Sequence, residues 1–158
     1  MTVITVNTAK DRLSQAQRRE LAETLTDAVL VPEVGQFAPA ARAGFQVHFV
    51  EREPDMMAIG GRLLADLGPA LDVMVIDVAV MDGDWRQEVR TEVIERILAA
   101  MTAACRLEKA SPAWWVNFRV IDEGSWGSSG GVLSILTLLD GGVFTEEKAK
   151  VIRAALGA

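Results

Sequence analysis

Between Val3 and Thr8 apolar and polar residues alternate, Ile4 and Val6 against Thr5 and Asn7, and a period of two predicts a strand. The turn KDRLS follows. The period then becomes helical, with Leu21, Ala22, Leu25, Ala28 and Val29 on one apolar stripe. Ser14 with Gln17 three residues on reads as a capping box at the start of that helix, and Pro32 marks its end. A Gly/Pro/Ala loop leads to a second predicted strand, Phe45–Val50. The polar turn EREPDMMAIGG and the short apolar stretch RLLADLG complete this half.

The pattern then restarts. Val73–Val80 predicts a strand apolar enough to be covered on both faces. Asp84 and Gln87 repeat the capping-box spacing, and Val89, Val93, Ile97, Leu98 and Met101 repeat the stripe. Trp114–Val120 predicts a fourth strand, followed by the polar turn EGSWGSSGG. Glu20-Leu21-Ala22-Glu23 mirrors Glu92-Val93-Ile94-Glu95, Val47-His48-Phe49 mirrors Val116-Asn117-Phe118, and Gly60-Gly61 mirrors Gly130-Gly131. Three correspondences in the same order indicate an internal duplication of a βαβ unit. Right-handed crossovers make each strand pair parallel. The expectation is an α/β (α+β) single domain over 1–158, with pseudo-repeats 2–68 and 71–142 and a C-terminal helix over 145–157. Two fused units build a four-stranded mixed sheet with two helices on one face. The other face is then bare and apolar, to be covered by the C-terminal helix and by partner subunits.

Composition narrows the function. With 158 residues, half of them hydrophobic, the chain has the makeup of one globular domain. A net charge of −6 provides no basic footprint for nucleic acid. No apolar run reaches a membrane span, and the N-terminus lacks the pattern of a signal peptide, so a cytoplasmic location is expected. The lone cysteine, Cys105, reads as buried filler, and the lone histidine, His48, rules out a polyhistidine metal site. No metal or other cofactor is expected.

His48 is the side chain whose ordinary titration falls nearest neutrality; it reads either as a strand histidine making a structural hydrogen bond or as a catalytic group. Trp115, Asn117 and Arg119 alternate onto one face of the fourth strand, a set able to hold an aromatic or carboxylate ligand, or else core and a subunit salt bridge. Trp126 lies in a Gly/Ser loop, where a tryptophan closes on a ligand or packs on a neighbour.

The duplicated unit with a strand at the very N-terminus resembles the tautomerase superfamily (4-oxalocrotonate tautomerase fold). Within it the chain resembles the cis-3-chloroacrylic acid dehalogenase group. The matching residues are TVITVNT, Asp11-Arg12-Leu13, Leu25-Thr26-Asp27-Ala28, Gln46-Val47-x-Phe49-x-Glu51, Gly60-Gly61, Gly83 and Trp115-Val116-x-Phe118. The resemblance implies a homotrimer and a small organic acid ligand. It also implies catalysis by an N-terminal proline amine exposed when methionine is removed. Here that position is Thr2. The group's helix histidine falls on Val29, its two arginines on Met81 and Asp84, with Arg86 one shift away, its tyrosine on Asn117 and its glutamate on Ser128. Dehalogenation by that mechanism is therefore not expected. The resemblance leaves Thr2, His48 and Asn117 as catalytic candidates. Arg12, Arg86, Trp115, Arg119, Trp126 and Ser128 are the substrate-binding candidates. Three readings stay open: an isomerase or lyase on a keto/enol or unsaturated carboxylic acid, a catalytically silent binding or structural member, and a specialised biosynthetic isomerase or cyclase.

Overall fold

The computed structural model describes residues 1–68 and 71–157. Four long strands, β1 (Thr2–Ala9), β2 (Phe45–Arg52), β5 (Met74–Met81) and β6 (Trp114–Ile121), form one sheet in the order β2-β1-β5-β6. β1 pairs parallel with β2, β5 pairs parallel with β6, and β1 and β5 meet antiparallel at the centre. The sheet is mixed, made of two βαβ units back to back. Helices α1 (Gln15–Val34) and α3 (Gln87–Ala104) are the crossovers. Both pack on one face, where Ile4, Val6, Ile76 and Val78 meet Leu21, Leu25, Val93 and Ile97. The two helical stripes are thus the covered faces, although Ala22 points to solvent.

Local chemistry sets the ends of the elements. The capping box at Ser14 and Gln17 is present, satisfying two orphan donors reciprocally. Pro32 does not end α1. It lies in the last turn, where it removes only the hydrogen bond to the Ala28 carbonyl while Leu30, Pro32 and Val34 remain packed. The helix closes at Gly35, whose left-handed φ of 82° aims its N–H at the Val31 carbonyl. The second expected capping box is absent. The N-cap is Arg86 with no side-chain cap, because the Asp84 carboxylate turns away to two cations.

A minor hairpin follows each unit, β3–β4 (Ala58–Ile59, Arg62–Leu63) and β7–β8 (Gly127–Ser128, Gly131–Val132). Their two-residue turns take positive φ at Gly60 and Gly61 and at Ser129 and Gly130. The structural counterpart of Gly60-Gly61 is therefore Ser129-Gly130, one residue before the Gly-Gly pair read from sequence. Short helices α2 (Leu64–Leu67) and α4 (Ile135–Leu139) complete these connections.

The C-terminal helix α5 (Glu146–Leu156) is capped by Thr145 and closed by Gly157, as expected. Its placement is not as expected. Ile152 packs with Met81, Ile135 and Leu139 at the end of the sheet, and the Thr145 N–H bonds to the Val34 carbonyl, so α5 closes that end. The open face is not bare and apolar either. Arg52 donates to Asn7, Asn7 to Asp77, and Asn117 to the other Asp77 oxygen, at 2.8–3.1 Å, a polar ladder across all four strands. β5 is consequently buried on one side only, with Asp77 exposed on the other. No described helix is long and apolar enough to cross a membrane.

Candidate functional site

The candidate site lies at the head of β1. Strand alternation points Thr2, Ile4, Val6 and Thr8 inward, so the Thr2 side chain is buried on the helix-covered side. Its hydroxyl donates to Glu33 Oε2 at 3.2 Å. Glu33 belongs to the last turn of α1, after Pro32, and is 7% exposed. Burial pushes its carboxyl up to about 7, against the opposing pull of the N-terminal ammonium and the Thr2 hydroxyl. The negative end of the α1 dipole further disfavours its charge. The N-terminal ammonium itself donates to Met81 Sδ at 3.3 Å, and the Met1 carbonyl accepts from the Met81 N–H. Beside these groups lies a cavity of about 290 Å³. Met1, Ala41, Phe45, Leu138 and Phe144 supply apolar wall, and Glu33 is its one ionisable side chain among the described residues.

A carboxyl that titrates near neutrality beside an apolar wall can both take and return a proton. The sequence pattern does not single out Glu33, because a helix end at Pro32 puts the glutamate in the following loop. One signal was available: a single carboxylate inside Val29-Leu30-Val31-Pro32-Glu33-Val34, at the helix end that disfavours negative charge.

The structure separates the three catalytic candidates. His48 and Asn117 share one register row with Thr5 and Asp77, in the order His48, Thr5, Asp77, Asn117, all on the open face. Thr2 points to the other side of the same sheet. The pseudo-symmetric positions read from sequence do correspond, since His48 and Asn117 occupy the two edges of one row. Neither reaches the Glu33 cavity. His48 is exposed, not half-buried, with Nε2 3.1 Å from Gln46 Oε1.

The binding candidates divide similarly. Arg12 forms two bonds to Asp72, at 2.8 and 2.6 Å, beyond the far end of β1, about 23 Å along the strand from Thr2. Arg86 is held by the buried Asp84 and does not line the cavity. Trp115, Asn117 and Arg119 do share a face, and Trp115 is 56% exposed; the buried tryptophan of the pair is Trp114. Arg119 and Trp126 line a broad hollow of about 780 Å³ over the open face, with Ser128 in the adjoining hairpin. Met81, on which the group's first arginine falls, touches the N-terminal ammonium through sulfur, and Val29 is fully buried core. Cys105 is the half-buried C-cap of α3, and burial pushes its thiol up, away from nucleophilic use. Among the described residues no three His, Cys, Asp or Glu side chains gather to hold a metal.

No protein-family model matches the sequence, and no curated protein matches it. Solved structures do. The chain is similar to N1, a member of the cis-3-chloroacrylic acid dehalogenase family, at 18% identity and a TM-score of 0.69, covering 96% of this chain and 99% of that one. A fused 4-OT described as a symmetric trimer matches at 18% identity and 0.66 over 86% and 98%. Another fused 4-OT in its native form matches at 21% and 0.64 over 82% and 94%. The chain has the fold of the fused, two-unit tautomerase-superfamily proteins.

Proposed function

We propose that this protein is a fused tautomerase-superfamily enzyme, an isomerase that moves a proton between carbon and oxygen of a small keto/enol compound. The observation that carries this reading is the buried Glu33 carboxyl, bonded to Thr2 and lining a largely apolar cavity at the head of β1. Glu33 replaces the absent proline amine as the acid/base group. As carboxylate it takes the proton from carbon α to a carbonyl, and the C–H electron pair moves toward the carbonyl oxygen. The resulting carboxylic acid returns the proton to oxygen or carbon. Thr2 orients Glu33 by donating to it.

The open face supports assembly with other copies of the chain. Its hydrogen-bonded ladder and exposed Trp115 lie uncovered in the protomer, and a structurally similar fused 4-OT is a symmetric trimer. We place Trp115, Asn117, Arg119 and His48 in that interface, and light scattering should return three times the mass of the chain. The test of activity is α-proton exchange in D2O, by NMR, over keto/enol compounds including phenylenolpyruvate and 2-hydroxymuconate. Wild-type protein should accelerate exchange and Glu33→Gln should not. Equal acceleration by the two would remove Glu33 from the chemistry, and background rates in both would leave the silent binding member as the reading, which the mutual satisfaction of Thr2 and Glu33 favours.

A further inference from the structure

The polar groups of the Glu33 cavity are unevenly placed. The buried Glu33 and the part-buried N-terminal ammonium act on one another at one end. The ammonium donates to the neutral Met81 sulfur at 3.3 Å and keeps donors to spare, so charge developing on a carbonyl oxygen is met at that end. The rest of the wall holds one hydroxyl or amide side chain among the described residues, Thr137 of α4. Ile135 and Leu139, four residues apart, share the face of α4 that packs with Met81 and Ile152. Thr137, midway between them, projects off that face and is exposed. Thr24, Thr26 and Thr102 each donate to the carbonyl four residues back, whereas the Thr137 hydroxyl makes no hydrogen bond among the described residues. The residue four before it, Leu133, precedes α4 and provides no helical carbonyl.

Resting on the acid/base reading of Glu33, we propose that Thr137 is the specificity-determining residue of the cavity and holds the outer oxygen of a two-ended ligand. That ligand is an enolisable ketone whose reacting carbonyl lies at the Glu33 end and whose far end carries a hydroxyl or carbonyl oxygen. An apolar cavity of roughly 150 Å³ accommodates benzene, so one of about 290 Å³ has room for a six-membered ring between two such ends. Thr137 acts at the end that does not react. Its bond is therefore the same in the ground state and the transition state, and shows in KM and not in kcat.

Cyclohexanone and 4-hydroxycyclohexanone test this as a matched pair, since they differ by the one outer hydroxyl. Binding is followed by NMR titration, and α-proton exchange by NMR in D2O. Wild-type protein should bind the hydroxy compound about 3- to 10-fold more tightly, the range of one net hydrogen bond. Thr137→Val should erase that preference by weakening the hydroxy compound alone, raising its KM by the same factor with kcat unchanged. Thr137→Ser should restore the preference. A merely structural Thr137 would weaken both ketones alike in the valine variant. Equal wild-type affinities overturn the proposal, as does a preference that survives in Thr137→Val or a failure of both ketones to bind. Exchange faster than background without the preference overturns the proposal and leaves the acid/base reading standing. The preference without accelerated exchange keeps the Thr137 contact and removes the acid/base reading. The preference is read first on wild-type protein, so it does not depend on a variant folding.

Discussion

Two carboxylates are buried at the same end of the sheet and are opposite in their chemistry. Asp84 is met by Arg86 and by Lys148 on α5, and these cations hold its carboxyl down to about 2 despite burial. Glu33 is met by one hydroxyl, a shared ammonium and apolar wall, and burial pushes it up to about 7. Burial alone therefore says little about a carboxylate's role. Its partners decide whether it fastens the fold or stands ready to exchange a proton.

The sharpest way to break the contrast is to remove each acid in turn. Glu33→Gln should lower α-proton exchange by about 10³-fold, within the range typical of a lost acid/base group, while leaving the protein as stable or more so above pH 8. Asp84→Ala should do the reverse. Denaturant unfolding should show a loss of about 3 kcal/mol, because the 16%-exposed Lys148 side chain is left unpaired. Exchange activity per folded molecule should be retained. Arg86→Ala should cost less than Asp84→Ala, about 1–2 kcal/mol, since its own 63%-exposed side chain is solvated either way while the buried Asp84 keeps Lys148.

Stability against pH should show the two acids acting in opposite directions. Glu33 binds its proton more tightly in the folded chain than in the unfolded one, whose ordinary value is 4.5. Its contribution is fully present below about 4.5 and is lost as pH rises through about 7, a change on the order of 3 kcal/mol. Asp84 contributes stability above its ordinary 3.8 that is lost as pH falls through about 2. Thermal unfolding between pH 4.5 and 7.5 should therefore show a downward trend that Glu33→Gln flattens and Arg86→Ala does not.

The duplication was legible because it is written in periods. A strand of period two followed by a helix stripe recurs, and Leu21 and Leu25 of α1 have buried counterparts in Val93 and Ile97 of α3. Capping by Ser14 and Thr145 was legible because each cap is local chemistry. The second cap was not, because Asp84 is drawn off by Lys148, a partner 64 residues away that no spacing announces. The open face escaped for a similar reason. Asn7, Arg52, Asp77 and Asn117 become a ladder only once β1 and β5 lie antiparallel. The candidate site was half legible. Thr2 is singled out by the family resemblance, which puts the N-terminal amine at that position. Glu33 was hidden by Pro32, whose tolerance in a last helical turn depends on packing around it. The arginines and His48 were attractive as residue types, but alternation and ion pairing take them elsewhere.

The smallest effect isolates the bond between Thr2 and Glu33. Thr2→Val keeps the shape of the buried side chain and removes its donor. The carboxylate then loses a hydrogen bond that favours its charged form, and the Glu33 carboxyl should rise further above about 7. A hydrogen bond of about 1 kcal/mol corresponds to about 0.7 of a pH unit. Because the carboxylate is the form that takes a proton from carbon, exchange should rise with pH, and its midpoint should move upward by about that amount in the variant. Thr2→Ser keeps the donor and should leave the midpoint in place. A merely structural Thr2 would lower the amount of folded protein in both variants and move the midpoint in neither. A Thr2→Val midpoint equal to wild type would detach Thr2 from Glu33 and leave the glutamate tuned by its apolar wall alone.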